Sequence, residues 1–288
     1  MITSKTLQHT EPTLDSLDWL KPSHVKWPTN VKTLMSTRLG GYSKGAYASL
    51  NVGDHVGDDP LDVQKNRDQY HKSTGCRAVY LKQVHGADVV VLDQATPEGF
   101  QADASLTHLG GLACTIMVAD CLPILITNTE GTLVGAAHAG WRGLAGVECA
   151  GGEGVVENLM TALKNKESEL KLQSTHWLAW LGPCIGPKYF EVGAEVRDAF
   201  ATDHPSIAQF DPLPVSSGPP KWLANLAGLA QLRLKKIGID IILGNDSGKL
   251  GQSWCTVANS RLFFSHRRDK ISGRMAASIW IDGEPKFL

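Results

Sequence analysis

Hydrophobic and polar positions along the chain separate into two kinds of segment. Four stretches repeat apolar residues at helical spacing. Asp59-Pro60 is a cap and first-turn pair that opens a helix ending at Gly75. Residues 153–166 place Val156, Leu159, Met160 and Leu163 on one face, and residues 190–201 do the same with Val192, Val196 and Phe200. Residues 222–237 carry Leu223, Leu226, Ala230, Leu234 and Ile237, with Gly238 as the stop. Seven shorter runs read as strands: Val79–Val84, Asp88–Leu92, Ala113–Val118, Leu122–Thr127, Leu133–Ala137, Trp177–Leu181 and Ala276–Ile281.

Several of these strands are apolar at consecutive positions, as expected when both faces of a sheet are covered. Five of them crowd into residues 79–137, too close together for helices to alternate with them. The expected fold class is therefore α/β with α+β character, a mixed sheet flanked by helices. Residues 1–30 are polar around a short apolar knot (Leu17, Trp19, Leu20) and read as an arm packing on the body; residues 31–288 read as one catalytic domain. Thr202–Pro220 holds five prolines and is expected to be a long surface loop.

With 288 residues, 42% hydrophobic and 20% charged, the chain has the composition of a globular protein with a substantial core, which excludes disorder as its main state. Its 28 basic and 29 acidic residues lack the basic excess of a nucleic-acid binder. No apolar run is long enough to span a bilayer, and the first residues lack a secretory core. The expectation is a cytoplasmic protein without nucleic-acid or membrane partners. The six cysteines are widely spread and read as reduced thiols.

Dinucleotide-binding, P-loop, zinc-protease and serine-hydrolase signatures are all absent from the sequence. Reactive side chains instead sit among small residues at the ends of apolar runs: S-T-R-L-G-G (36–41), Q-V-H-G-A-D (83–88), A-D-C-L-P-I-L (119–125), A-A-H-A-G-W-R-G (136–143), L-G-P-C-I-G (181–186) and F-F-S-H-R-R-D (263–269). Strand ends are where sheet proteins build their sites. His85, Cys121 and His138 compose a donor set suited to zinc with one coordination position open. The same three residues also read as satisfied polar groups and a buried thiol. What favours the metal is the neighbourhood of each.

That neighbourhood, together with S-L-N-V-G-D-H-V-G-D-D (49–59), resembles the YfiH-type laccase-domain family, with matching segments from about Thr37 to Arg274 in the family's order. The resemblance implies a mixed-sheet α/β domain and a metal held by His85, Cys121 and His138. It also implies activity on purine nucleosides: cleavage of adenosine, inosine, guanosine or methylthioadenosine with phosphate, and deamination of adenosine. The implied cofactor is Zn2+, with Cu2+ as the alternative, and the implied partners are nucleosides and phosphate.

Phosphorolysis needs a dianion held near a cation-like sugar and charge stabilised on the leaving base. Arginine's planar fork suits the first task, and Arg38, Arg142, Arg267 and Arg268 are the candidates. Asp120, beside Cys121, is the candidate proton shuttle for deamination; it reads equally as a turn aspartate. Two further readings stand beside this one. Cys184 with His266 suggests a cysteine-dependent amide hydrolase or cell-wall editing factor, and a metabolite-binding factor without turnover is the non-enzymatic alternative. A multicopper cluster lacks its paired histidines, but a single copper at the triad would permit weak phenol oxidation.

Overall fold

Strands in this protein are apolar on both faces because they lie in two sheets stacked on each other. The computed structural model describes residues 27–149, 152–174, 176–201, 204–214, 217–239, 241–246 and 251–283. Its elements run β1 (Val31–Met35), α1 (Pro60–Thr74), β2 (Arg77–Tyr80), β3 (Val89–Val91), β4 (Ala104–Thr107), β5 (Leu112–Val118), β6 (Leu122–Asn128) and β7 (Val134–Ala139). Then follow α2 (Trp141–Ala145), α3 (Val155–Glu169), β8 (Trp177–Leu181), β9 (Glu191–Val192), α4 (Ala194–Ala199), α5 (His204–Ile207), β10 (Phe210–Pro212) and β11 (Trp222–Ala224). The chain continues through α6 (Leu226–Lys236), β12 (Ile241–Gly244), α7 (His266–Asp269) and β13 (Met275–Ile281).

One mixed sheet has the order β1-β13-β5-β2, a larger one the order β12-β8-β6-β7-β4-β3, and a small antiparallel sheet the order β10-β11-β9. Strand alternation assigns the cores. On β5, Leu112, Cys114, Ile116 and Val118 face the larger sheet and pack with Leu125, Val134, Ala136 and Trp180. Ala113 and Met117 face the other way, toward Tyr70 of α1. On β6, Leu122, Ile124 and Ile126 pack instead against Leu159 and Leu163 of α3 and Leu229 of α6. The layers are thus helix, sheet, sheet, helices. Each buried Leu, Ile or Phe contributes about 1.5–3 kcal/mol, whereas an exposed pair such as Lys32–Asp282 contributes at most about 1.

Local chemistry sets the helix ends. Asp59 accepts hydrogen bonds from the amides of Leu61 and Asp62, Pro60 opens α1, and Gly75 closes it at φ 68°. The stretches expected as helices over 190–201 and 222–237 are shorter. Glu191–Val192 and Trp222–Ala224 pair as strands, and the helices begin only after Gly193 and Asn225, whose side-chain oxygen caps Gly228 N. The proline-rich stretch carries α5 and β10 rather than a bare loop. The strand expected over 79–84 ends at Tyr80. Of the predicted arm, residues 1–26 lie outside the described residues; at its end, Trp27 Nε1 donates to Val31 O.

Two crossings between the large sheets matter for function. The β2–β3 link, which carries His85, and the three-residue β5–β6 link, which carries Cys121, both pass from the four-stranded to the six-stranded sheet.

Candidate metal centre and its cleft

His85, Cys121 and His138 converge, with one donor atom from each lying within 4.8 Å of the others. His138 belongs to β7, Cys121 to the β5–β6 crossing and His85 to the β2–β3 crossing. A residue that sequence reasoning missed joins them. Asp103, fully buried, accepts from His138 Nδ1 at 2.8 Å and from the amides of Val84, His85 and Gly86 at 3.1, 2.9 and 2.7 Å. Its carbonyl also takes the His138 amide at 2.8 Å. Those amide bonds hold His85 at φ 63° and bend the chain away from β2. The available signal was an aspartate between two alanines at the entry to β4.

Reciprocal bonds fix the same loop from the other side: Gln83 Nε2 donates to Met117 O and Met117 N to Gln83 Oε1, at 2.8 and 2.7 Å.

Charge in the cluster is strongly coupled. Burial opposes ionisation of the Cys121 thiol, yet His138 and His85 outweigh it and pull the thiol down to about 6. Burial likewise opposes the His138 imidazolium, and Cys121 together with Asp103 lifts it to about 9. Burial would raise the Asp103 carboxyl, but His138 and the loop amides hold it below its ordinary value.

Two features test whether these residues fit a metal. A thiolate and two imidazoles are the donors a zinc-like ion prefers, and a histidine whose other nitrogen is held by a carboxylate is the usual supporting arrangement. Gly140 keeps the space in front of them open: a Cβ there would lie 3.0 Å from His85 Cδ2 and 3.1 Å from Cys121 Sγ. The residues fit. Among the described residues this is the one such group of three donors.

The cluster lines an open cleft of about 970 Å³. Trp141, Val147, Ile185, Phe190 and Leu226 supply apolar surface, while Arg142, Arg267, Lys270 and Arg274 supply cations. Arg142 is exposed, stacks on Trp141 at 4.8 Å and has no hydrogen-bonded partner for its guanidinium among the described residues. Arg267 lines the rim, with Nη1 on the carbonyls of Tyr189 and Glu191.

The other expected anion binders lie elsewhere. Arg38 stacks on Phe264 and donates to Ala48 O and Ser260 O. Arg268 donates to the carbonyls of Thr256, Val257 and Phe263. Neither is among the residues lining the cleft. Asp120 does line it, but both carboxylate oxygens are engaged at 2.6 Å, by Thr256 Oγ1 and the Arg267 amide. His266 also lines the cleft, whereas Cys184 is buried outside its lining. Burial pushes the Cys184 thiol far up, so it does not serve as the nucleophile that the amide-hydrolase reading needs.

A two-sheet α/β fold with one His–Cys–His centre at its sheet crossings defines a laccase-domain protein. Residues 32–282 match the family described as multi-copper polyphenol oxidoreductase laccase, and the chain belongs to that family. It is 42% identical over 257 residues to the purine nucleoside phosphorylase YfiH of Escherichia coli (strain K12), covering 88% of this chain and 95% of that one. It is 41% identical over 266 residues to a purine nucleoside phosphorylase of Pseudomonas aeruginosa, covering 91% and 98%. Among solved structures, a Neisseria meningitidis protein superposes with a TM-score of 0.78 at 43% identity, over 92% of this chain and 99% of that one. Among the described residues, no helix is long and apolar enough to cross a membrane.

Proposed function

We propose that this protein is a zinc-dependent purine nucleoside phosphorylase, cleaving adenosine, inosine, guanosine or methylthioadenosine with inorganic phosphate, and that the same cleft deaminates adenosine. The observation that carries the reading is the meeting of His85, Cys121 and His138 in a cleft with both cationic and apolar lining. The names of its relatives point the same way. Residues 31–288 act as one catalytic domain in this reading, and the enzyme is cytoplasmic.

His85, Cys121 and His138 would hold a zinc ion, which would supply Lewis acidity to the cleft. The protein's own groups do the remaining work. Asp103 orients His138 and anchors the His85 loop. Trp141, Val147 and Phe190 accept the flat purine and keep water from its faces. In phosphorolysis the C–N glycosidic bond breaks with its electron pair leaving on the base, and a phosphate oxygen bonds the sugar carbon. Cations near that carbon hold the dianion in line. The cations that line the cleft take this role in place of Arg38 and Arg268, whose guanidiniums are spent on backbone carbonyls. With both oxygens engaged, Asp120 acts as a brace for the α7 segment rather than as a proton shuttle.

Zinc is assigned over copper because neither deamination nor phosphorolysis involves a change of oxidation state, so Lewis acidity suffices. Copper in the same donors would instead permit weak phenol oxidation with dioxygen as the oxidant.

Product analysis tests the proposal. Zinc-loaded protein is incubated with adenosine, with and without phosphate, beside a His138→Ala control. Adenine and ribose phosphate formed only with phosphate, and absent in the variant, support phosphorolysis; inosine formed without phosphate supports deamination. No product in any arm from folded, metal-loaded protein overturns both.

A further inference from the structure

Arg274 follows Gly273 and immediately precedes β13, just after the segment that closes α7. Its main chain is locked to a buried asparagine: Arg274 N donates to Asn51 Oδ1 at 2.8 Å, and Val52 N donates to Arg274 O at 3.1 Å. Its stem lies against Gly53, where an added Cβ would come within 2.7 Å of Arg274 Cγ. One guanidinium nitrogen, Nη1, is tied to the carbonyls of Ser272 and Gly273 at 2.9 and 3.1 Å. Nε and Nη2 have no hydrogen-bonded partner among the described residues, and the residue lines the cleft. His85, Cys121 and His138 line the same cleft as Arg274.

Lys270 reinforces it. Held at φ 63°, a conformation rare for a residue with a side chain, it ends α7 and also lines the cleft. Lys270 and Arg274 lie on one segment of the cleft lining, and Trp141 and Val147 on another, next to Arg142 and Glu148.

We propose that Arg274, supported by Lys270, is the phosphate-anchoring subsite of the cleft, so that substrates bind with phosphate toward the start of β13 and the base toward Trp141 and Val147. This rests on the nucleoside phosphorylase reading for its substrate, though not for its anion. A half-buried arginine with a locked stem and one free edge presents a preorganised two-donor fork, the geometry that tetrahedral oxyanions take best. Exposed Arg142 has charge without that preorganisation.

Two readouts on the metal-loaded protein separate the ideas. The first is binding of inorganic phosphate alone, by calorimetry or phosphorus NMR. The second is the split between phosphate KM and nucleoside KM. Arg274→Gln keeps a donor for Ser272 O and loses the charge; it is expected to weaken phosphate binding and raise phosphate KM about tenfold or more, with nucleoside KM changed less than about threefold. Arg274→Lys keeps the charge and loses the fork, and serves if the glutamine variant does not fold; it is expected to lose phosphate affinity several-fold with an unchanged melting temperature. The surface variant Lys65→Ala is the control. Unaltered phosphate affinity in both Arg274 variants, or a nucleoside KM that rises while phosphate KM stays, overturns the proposal. Phosphate binding that depends on Arg274 without nucleoside turnover keeps the anion site and rejects the phosphorylase reading instead.

Discussion

Asp103 and His138 form a buried pair, Oδ1 to Nδ1 at 2.8 Å, and the same carboxylate collects the three amides of Val84, His85 and Gly86. One side chain therefore holds two of the three metal donors: it orients the His138 ring directly and His85 through its backbone. Replacing it removes an acceptor from four donors at once. Asp103→Asn retains the shape but loses the charge, and zinc affinity is expected to fall about 10–100-fold. Asp103→Ala leaves buried donors unpaired and is expected to cost about 3 kcal/mol or more. Chelator competition reads the first and urea unfolding the second. Because its folded carboxyl is held below the ordinary value, Asp103's contribution is complete above the unfolded carboxylate range and is lost as pH falls through its depressed folded value. The stability gap between wild type and Asp103→Asn should accordingly shrink on acidification.

In metal-free protein Cys121 is a thiolate at neutral pH. His138 and His85 bring its thiol down to about 6, well below the usual value near 8.5. Alkylation by iodoacetamide should therefore run near its full rate at pH 7, fall to about half near pH 6 and decline below that, while an ordinary thiol has already lost most of its rate at pH 7. Zinc should protect Cys121 stoichiometrically. Peptide mass spectrometry across pH reads both, and a reaction that first rises near pH 8.5 would contradict the coupling.

Gly140 precedes α2 at φ −68°, so alanine meets no backbone strain there. Its Cβ would press on His85 and Cys121 at 3.0 and 3.1 Å. Gly140→Ala is expected to cost zinc about tenfold in affinity while changing folding stability by less than about 1 kcal/mol. Zinc titration paired with a denaturant melt separates the two effects; equal loss in both would mean the glycine serves packing alone.

Sequence periodicity read the centre of this fold well. The runs at 113–118, 122–127, 177–181 and 276–281 lie on observed strands, and 133–137 overlaps β7 from Val134 onward. Their unbroken apolarity announced covered faces but not the partition into two stacked sheets, which depends on pairings such as β13 with β5, more than 150 residues apart in sequence. Short strands such as Trp222–Ala224 escaped because they continue the helical apolar pattern of α6, and only the Asn225 cap separates them. At the site, the three donors stood out through the motifs around them and the family resemblance those motifs carry, not through their residue types alone. Asp103 did not, because its function is expressed through backbone amides that carry no sequence signature. Arg38 and Arg268 stood out for the wrong reason: charge in the sequence does not reveal whether a guanidinium faces a cleft or its own backbone.

Cys184 forms an isolated backbone β-bridge with Cys255, and its Sγ accepts from Asn245 Nδ2 at 3.5 Å, fully enclosed. A nucleophile needs access and a lowered pKa, and Cys184 has neither. Cys184→Ala is expected to keep turnover within about twofold while losing about 1 kcal/mol through a small cavity. Abolished turnover with intact metal content would restore the amide-hydrolase reading.

Arg267 and Arg268 are adjacent yet do opposite things, and paired alanine variants should separate them. Arg268 donates to three backbone carbonyls, at Thr256, Val257 and Phe263, and pairs with Asp269. Removing it strands those carbonyls and unties the segment whose Thr256 holds Asp120, so Arg268→Ala is expected to lower stability by about 2–3 kcal/mol. At a permissive temperature its phosphate KM should stay close to wild type. Arg267 sits on the rim, stacked 5.6 Å from Phe190, with its amide rather than its side chain bracing Asp120. Alanine keeps that amide, so Arg267→Ala should preserve the Asp120 brace, change stability by less than about 1 kcal/mol and raise KM by a few-fold. Thermal melts beside steady-state kinetics distinguish the two. A stable Arg268→Ala protein with a sharply raised phosphate KM would return that arginine to the cleft.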